Sequence, residues 1–284
     1  NFCSEITLIG KLTGIAEGAA LDIQHAIPIF ESNAVITGHH EYSALTGSHV
    51  VVIAAGNPRK PGMSRSDLLE VNKKIIDQVV NNITKYAPDA FVVIVTNPVD
   101  VLTFHTWRLS GWAKNRIMGL SCVLDSARMA SMISLKTGYS AKEISALVVG
   151  GHGDFMVPLP RFSRINGIPL EVFLNEVEIH EIIAKTRVAG GDIVALKQTS
   201  GFVAAAASIV SMLDAIINNR NHILGCVSVL EGEYGYDDIA VGVPCLIGGS
   251  GVVKIIELPL NKQEKQDFDK SVADVQKKVK NLVN

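Results

Sequence analysis

Residues 50–65 read VVVIAAGNPRKPGMSR, and this stretch decides the fold. Val50, Val51, Val52, Ile53 and Ala54 are all apolar and four of them are β-branched, the pattern of a short strand covered on both faces, as in a parallel sheet. The residues that follow, Ala55 to Arg65, contain two prolines and two glycines and carry Arg59, Lys60 and Arg65 with no acid among them. Open α/β sheets bind ligands in loops at the carboxyl ends of their strands. Three positive charges on such a loop suit an anion, although a solvated loop has the same composition.

Outward from this stretch the pattern repeats. Ile6 to Ile9, Ala34 to Ile36 and Phe91 to Val95 are short, nearly continuous apolar runs. Residues 14–25 and 67–86 have helical periodicity, and Leu68, Leu69, Val71, Ile75, Ile76, Val79, Val80 and Ile83 make a wide apolar stripe. Strand–helix alternation predicts a doubly wound α/β domain over residues 1–121. The second half, 122–284, reads as α+β. A helix is expected over 126–137 and a strand over 144–149 running into GGHGD at 150–154. Helices around 176–190 and 190–220 precede alternating runs at 223–230 and 239–247, then GGSG at 248–251 and KIIEL at 254–258. The end, 261–283, is an amphipathic helix with Phe268, Val272, Val275 and Val279 inward. With no exposed linker, the halves are expected to pack tightly.

At 284 residues and 48% hydrophobic, the chain has material for about two domains, which excludes disorder and disulfide-scaffold classes. Lys+Arg 26 against Asp+Glu 28 leaves no basic footprint for nucleic acid and no polybasic face for a membrane. Charged residues at 19% fall below the usual quarter or so, which hints at surface buried between subunits. Cys3, Cys122, Cys226 and Cys245 are too dispersed for a CxxC site and read as free thiols of a reducing compartment. Phe202 to Ile217 carries Ser208, Ser211 and Asp214, so it reads as a buried helix rather than a membrane span. The first residues show no secretory signal, and a cytoplasmic location is expected.

Chemistry concentrates in three further places. His152 is flanked by Gly150, Gly151 and Gly153 directly after an apolar strand, so its ring can stand in a cleft; a tight turn with an incidental His is the plainer alternative. No second His or Cys stands at zinc-ligand spacing, so no metal is expected. Asp125 and Arg128 are three apart at a helix start, hence on one face. They read equally as a cap with a surface ion pair, or as a carboxylate that orients an imidazole beside a guanidinium that grips an anion. Asn97, in TNPVD after the FVVIV run, offers both a donor and an acceptor, or simply makes a turn.

Taken together, AGNPRKPGMSR, VTNPVDVLT, LDSAR and VGGHGD resemble the signature segments of the lactate/malate dehydrogenase family, in order and over essentially the whole chain. The resemblance implies reversible hydride transfer between a nicotinamide cofactor and a 2-hydroxy or 2-oxo acid. It makes His152 the proton acceptor, Asp125 its orienting partner, Arg128 the substrate-carboxylate anchor and Arg65 the carbonyl-polarising residue of a mobile loop. Gly10, Lys11, Asn72 and Asn97 are assigned to the cofactor, and Asn97 to the substrate as well. Arg59 stands where malate-specific members carry Arg and lactate-specific members commonly Gln. A second carboxylate left unpaired in a closed site is costly, so a small dicarboxylate is expected over lactate. Thr199, Ser200, Gly201 and Phe202 resemble the small-residue wall that accompanies malate. A homodimer or homotetramer is implied.

Two features depart from the family. No GxGxxG segment precedes ITLI, so the expected Rossmann-type sheet, strand order 3-2-1-4-5-6, lacks its first strand between ITLI and VVVIA. The chain is therefore expected to be part of a longer protein. Gly10 and Lys11 occupy the strand end where NAD-specific members place an Asp, which leaves NAD or NADP open as cofactor. Beyond the small-residue wall, SGFVAAAAS lacks the family's Tyr and Pro. The rival readings are a dehydrogenase of lactate or another 2-hydroxy acid, and an inactive relative that lacks the phosphate-binding loop.

Overall fold

The computed structural model describes residues 3–58 and 65–283; Arg59, Lys60 and the side chain of Arg65 lie outside the described residues. In chain order, β1 (Glu5–Ile9), α1 (Ile15–Ala26), β2 (Val35–His39), β3 (Val50–Ile53), α2 (Arg65–Tyr86), β4 (Phe91–Ile94), α3 (Val99–Ser110), β5 (Ile117–Leu120) and α4 (Cys122–Thr137) alternate as a doubly wound unit. Five short strands follow: β6 (Ile144–Ser145), β7 (Val148–Val149), β8 (Val157–Pro158), β9 (Arg164–Ile165) and β10 (Ile168–Pro169). Then come α5 (Glu176–Lys197), α6 (Val203–Ile217), β11 (His222–Glu231), β12 (Asp237–Gly248), β13 (Gly251–Ile255) and α7 (Lys262–Val283).

The VVVI run pairs in parallel with β4, and β4 with β5. Val92, Val93, Ile94, Ile117 and Met118 are buried, as expected of strands covered by helices on both faces. From α2, Leu69, Ile76, Val79, Val80 and Ile83 supply one cover. From α7, Phe268, Val272 and Val275 supply another, each contributing on the order of 1.5–3 kcal/mol by burial. Ile76, Phe268 and the central strand residues belong to one continuous core that crosses both halves of the chain.

Among the described residues, β1 pairs only with β2, in parallel, and this pair forms a sheet separate from the one that contains β3. The larger sheet runs β13-β12-β11-β5-β4-β3. Its second-half strands join through an antiparallel contact between β5 and β11, at Cys226 opposite Leu120 and Val227 opposite Gly119. The α+β half thus extends the sheet of the first half.

The structure differs from the sequence expectation in several elements. α3 and β5 have no counterpart in it: Val99, Asp100, Val101, Leu102, Thr103, Phe104 and Thr106 are all buried, so α3 has no polar face to give a period. The expected break at residue 190 is absent; α5 runs through Gly190 and Gly191 and ends at Gln198, whose φ is 57°. The expected strand 144–149 divides into β6 and β7, which belong to different sheets. Phe202 to Ile217 is not a helix buried all round. α6 buries Ser208, Met212, Ala215 and Ile216, while Val203 and Val210, with the preceding Phe202, are exposed because only one side meets the sheet and α4. Among the described residues no helix is long and apolar enough to cross a membrane. All four cysteines are free.

Candidate active site

α4 begins four residues earlier than the periodicity predicts, which places Asp125 in its first turn. There the peptide dipoles favour a carboxylate. Asp125 is fully buried, and both its oxygens are used: Oδ1 accepts from Arg128 Nη1 at 2.9 Å and Oδ2 lies 2.8 Å from His152 Nδ1. Residues 27 positions apart in sequence are thereby joined in one line, guanidinium to carboxylate to imidazole. The ring of His152 retains 18% exposure and Arg128 16%, against 1% for Asp125, so the two cationic groups reach the cleft and the acid lies beneath them.

The loop that carries His152 is held by its backbone. Three successive N–H groups donate to three different elements: Gly150 to the Gly242 carbonyl on β12 at 2.8 Å, Gly151 to Ser271 Oγ on α7 at 2.8 Å, and His152 to Asp100 Oδ2 on α3 at 2.9 Å. The glycines are needed for this approach. A Cβ on Gly150, whose φ is 88°, falls 2.7 Å from Ser271 Oγ, and one on Gly151 falls 2.7 Å from Val275 Cγ2.

Electrostatics follow from burial and company. Burial by itself pulls the His152 imidazole below the ordinary histidine value, but the Asp125 charge and hydrogen bond, with Asp100 behind them, outweigh it and hold the ring above that value. Burial pushes the Asp100 carboxyl up to about 6, against the partial relief of the His152 charge, the His152 N–H and Lys278. Arg128 Nε is buried and has no hydrogen-bond partner among the described residues. The guanidinium as a whole keeps 16% exposure, and that accessible part suits an incoming carboxylate. Gly190 leaves room beside it: its Cβ would lie 3.5 Å from Arg128 Nη1.

The loops after β3 and β4 are braced together from below. Asn72, buried in α2, accepts from the Asn57 N–H through Oδ1 at 2.8 Å and donates through Nδ2 to the Asn57 carbonyl at 3.2 Å and the Asn97 carbonyl at 2.8 Å. Its amide is spent on backbone, so it sets the relative position of the two loops. Thr96 Oγ1 adds bonds to the Ile53 and Ala55 carbonyls at 3.1 and 2.8 Å. Asn97 itself is exposed, three residues before Asp100.

Gly10 and Lys11 follow β1 in the smaller sheet and share no hydrogen bond with this cluster among the described residues. Gly10 donates its N–H to the His39 carbonyl at 2.9 Å, and its Cβ would fall 2.9 Å from Ala16 Cβ. Thr199, Ser200, Gly201 and Phe202 connect α5 to α6.

His152, Asp125 and Arg128 therefore meet directly, and Asn97 and Asn72 are linked to each other. Asp100 and Ser271 are absent from the sequence-derived site. Their signals are there in the sequence: an acid between Val99 and Val101, and a serine between Phe268 and Val275 on the inward stripe of α7.

Comparison with known proteins follows the same line. The family description "lactate/malate dehydrogenase, NAD binding domain" matches residues 1–119, and "lactate/malate dehydrogenase, alpha/beta C-terminal domain" matches residues 122–284. The malate dehydrogenase of Nitrosococcus oceani is 51% identical over 273 residues, 96% of this chain and 88% of that protein. Among solved structures, Cryptosporidium parvum malate dehydrogenase superposes with a TM-score of 0.95 at 41% identity, covering 98% of this chain and 90% of that one. The lactate dehydrogenase of the same organism, complexed with lactic acid and nicotinamide adenine dinucleotide, reaches 0.95 at 36% identity over 99% and 90%. With both family descriptions matched over nearly the whole chain and a relative 51% identical, the chain belongs to the lactate/malate dehydrogenase family.

Proposed function

We propose that this chain is a malate dehydrogenase that moves a hydride reversibly between malate/oxaloacetate and a nicotinamide cofactor, with residues 1–121 serving the cofactor and 122–284 the substrate. The observation that carries the reading is the line Arg128–Asp125–His152, a carboxylate anchor and a proton carrier tied to one buried acid.

The described residues fit the reactive end of such a cofactor and its substrate: exposed Asn57 and Asn97 stand beyond the carboxyl ends of β3 and β4, and the partly exposed Arg128 guanidinium offers a carboxylate its place. When bound, the nicotinamide supplies the hydride acceptor or donor. His152 does the proton work. Asp125 engages Nδ1, so Nε2 is the nitrogen available to substrate. In malate oxidation Nε2 takes the hydroxyl proton as C2 loses its hydride, and the imidazolium formed is held by Asp125. In oxaloacetate reduction the same proton returns to the new alkoxide oxygen. Arg128 fixes the C1 carboxylate so that C2 faces the cofactor.

Arg59 pairs with the second carboxylate and Arg65 polarises the carbonyl, assignments supported by their place in the AGNPRKPGMSR segment. Asn97 contacts substrate and cofactor, and Asn72 fixes the loop that carries it. NAD is the cofactor in the family description. The absence of an acid at Gly10, and the exposed Lys11 beside it, support use of NADP as well. Val188, Val194 and Leu196 on α5, Phe202 in the connection, and Val203 and Val210 on α6 are exposed apolar side chains, which support a homodimer or homotetramer.

The test is a substrate panel on the purified protein with NADH and NADPH. Oxaloacetate should be reduced faster than pyruvate; the reverse order would assign the chain to lactate instead, in keeping with its likeness to a lactate dehydrogenase structure. Nicotinamide fluorescence titration separates both from an inactive relative, which would bind no cofactor.

A further inference from the structure

Of the three N–H groups that anchor the catalytic loop, two donate to neutral acceptors, the Gly242 carbonyl and the Ser271 hydroxyl. The third, from His152, donates to a buried carboxylate, Asp100. Anchoring alone does not need a charge, since two neutral oxygens perform the same task one and two residues earlier. A buried carboxylate is also the more expensive acceptor, because burial penalises its ionised form unless hydrogen bonds surround it. Asp100 has them on one side only: Oδ2 accepts from His152, while Oδ1 has no hydrogen-bond partner among the described residues, and Thr103 Oγ1, one turn further along α3, has none either.

What faces Asp100 is the active site and α7. His152 presents its N–H and its ring charge, and Lys278, ion-paired with Asp274, approaches from α7. Asp125, itself bonded to Arg128, engages the imidazole at Nδ1, and the neutral Cys122 thiol comes from the start of α4. His152 is thus set between two carboxylates, one on its ring and one on its backbone. We infer that Asp100 is a positioning residue for His152, a second buried carboxylate that fixes the loop and sets a negative charge behind the imidazole. This rests on the dehydrogenase reading only for its catalytic consequence. Ionised Asp100 keeps His152 loaded for reduction; once Asp100 is neutral, the ring releases its proton at lower pH. With Asp100 at about 6, the two groups titrate in adjoining ranges and behave as a coupled pair.

The test is Asp100→Asn, which keeps an oxygen acceptor for the His152 N–H and removes the charge. Two readouts are taken: the pH profile of kcat/KM for oxaloacetate reduction, and the titration of the His152 ring by NMR on ring-labelled, ligand-free protein, assigned with His152→Asn. Both should move to lower pH by about one pH unit, with the KM for cofactor unchanged. A His152 titration that superimposes on the wild type overturns the proposal. If the protein turns over neither malate nor oxaloacetate, the functional reading fails while the NMR titration still decides on Asp100. If the variant does not fold, the wild-type ring titration decides: it should show a second inflection near the Asp100 value, and a single inflection refutes the coupling.

Discussion

Replacing Asp100 by Asn should make the protein more stable near neutral pH, by an amount that depends on pH in a calculable way. The carboxyl moves from its ordinary 3.8 to about 6 on folding, because burial penalises the ionised form more than His152 and Lys278 favour it. The folded state therefore binds this proton more tightly than the unfolded chain. Such a group contributes its full stability below pH 3.8, loses it as pH rises through about 6, and changes nothing above that. At about 1.4 kcal/mol per pH unit, the whole loss is about 3 kcal/mol. Roughly half of it, about 1.4 kcal/mol, falls between pH 5 and pH 8. The His152 ring, also held above its ordinary value, loses stability in the same direction as pH rises through the histidine range, and part of that is removed with the Asp100 charge. Urea unfolding of both proteins near pH 5 and near pH 8, at one protein concentration, reads the difference directly. The advantage of Asp100→Asn should grow by about 1.4 kcal/mol or more from the lower to the higher pH. An advantage that stays constant would mean that Asp100 does not change its charge in that interval, and the reasoning would be wrong.

His152→Asn should lower turnover by about 10²–10⁴-fold while nicotinamide fluorescence reports unchanged cofactor binding; retained turnover removes His152 from the proton step. In the wild type, oxaloacetate reduction should fall and malate oxidation should rise as pH increases through the raised His152 value, and parallel profiles for the two directions would contradict that assignment. Arg59→Gln should move the kcat/KM ratio toward pyruvate by about ten-fold or more, read from the same substrate panel; an unchanged ratio places discrimination elsewhere. Gly10→Asp should weaken NADP binding relative to NAD in paired titrations, with a lower Tm because the new Cβ meets Ala16 Cβ at 2.9 Å. Gly151→Ala, whose Cβ meets Val275 Cγ2 at 2.7 Å, should displace the His152 loop from α7 and reduce both Tm and kcat; no change in either would show that the loop has slack.

The sequence by itself determined the fold class, because strands covered on both faces must be apolar throughout and helices covered on one face must be striped. β3, β4, α2 and α7 were legible for that reason. α3 was not, since a helix buried on nearly every side carries no period, and β5, whose IMGL has one β-branched residue and a glycine, lacks the β-branched run of β3 and β4. The helix boundary expected at 190 is instead a place where α5 runs on, with Gly190 beside Arg128. His152, Asp125 and Arg128 were legible as residue types in suggestive settings, but their meeting was not, because the acid and the imidazole stand 27 positions apart across helix and strand and no local spacing encodes that distance. Asp100 and Ser271 were beyond the sequence for a sharper reason. Asp100 reads locally as a lone acid between valines and Ser271 as one more polar residue after Asp269 and Lys270, and only when α3, α7 and β12 converge on three successive backbone N–H groups does each acquire its partner. Local sequence fixes which atoms need burial or a hydrogen bond; which atoms satisfy one another is decided by the packing of elements far apart in the chain.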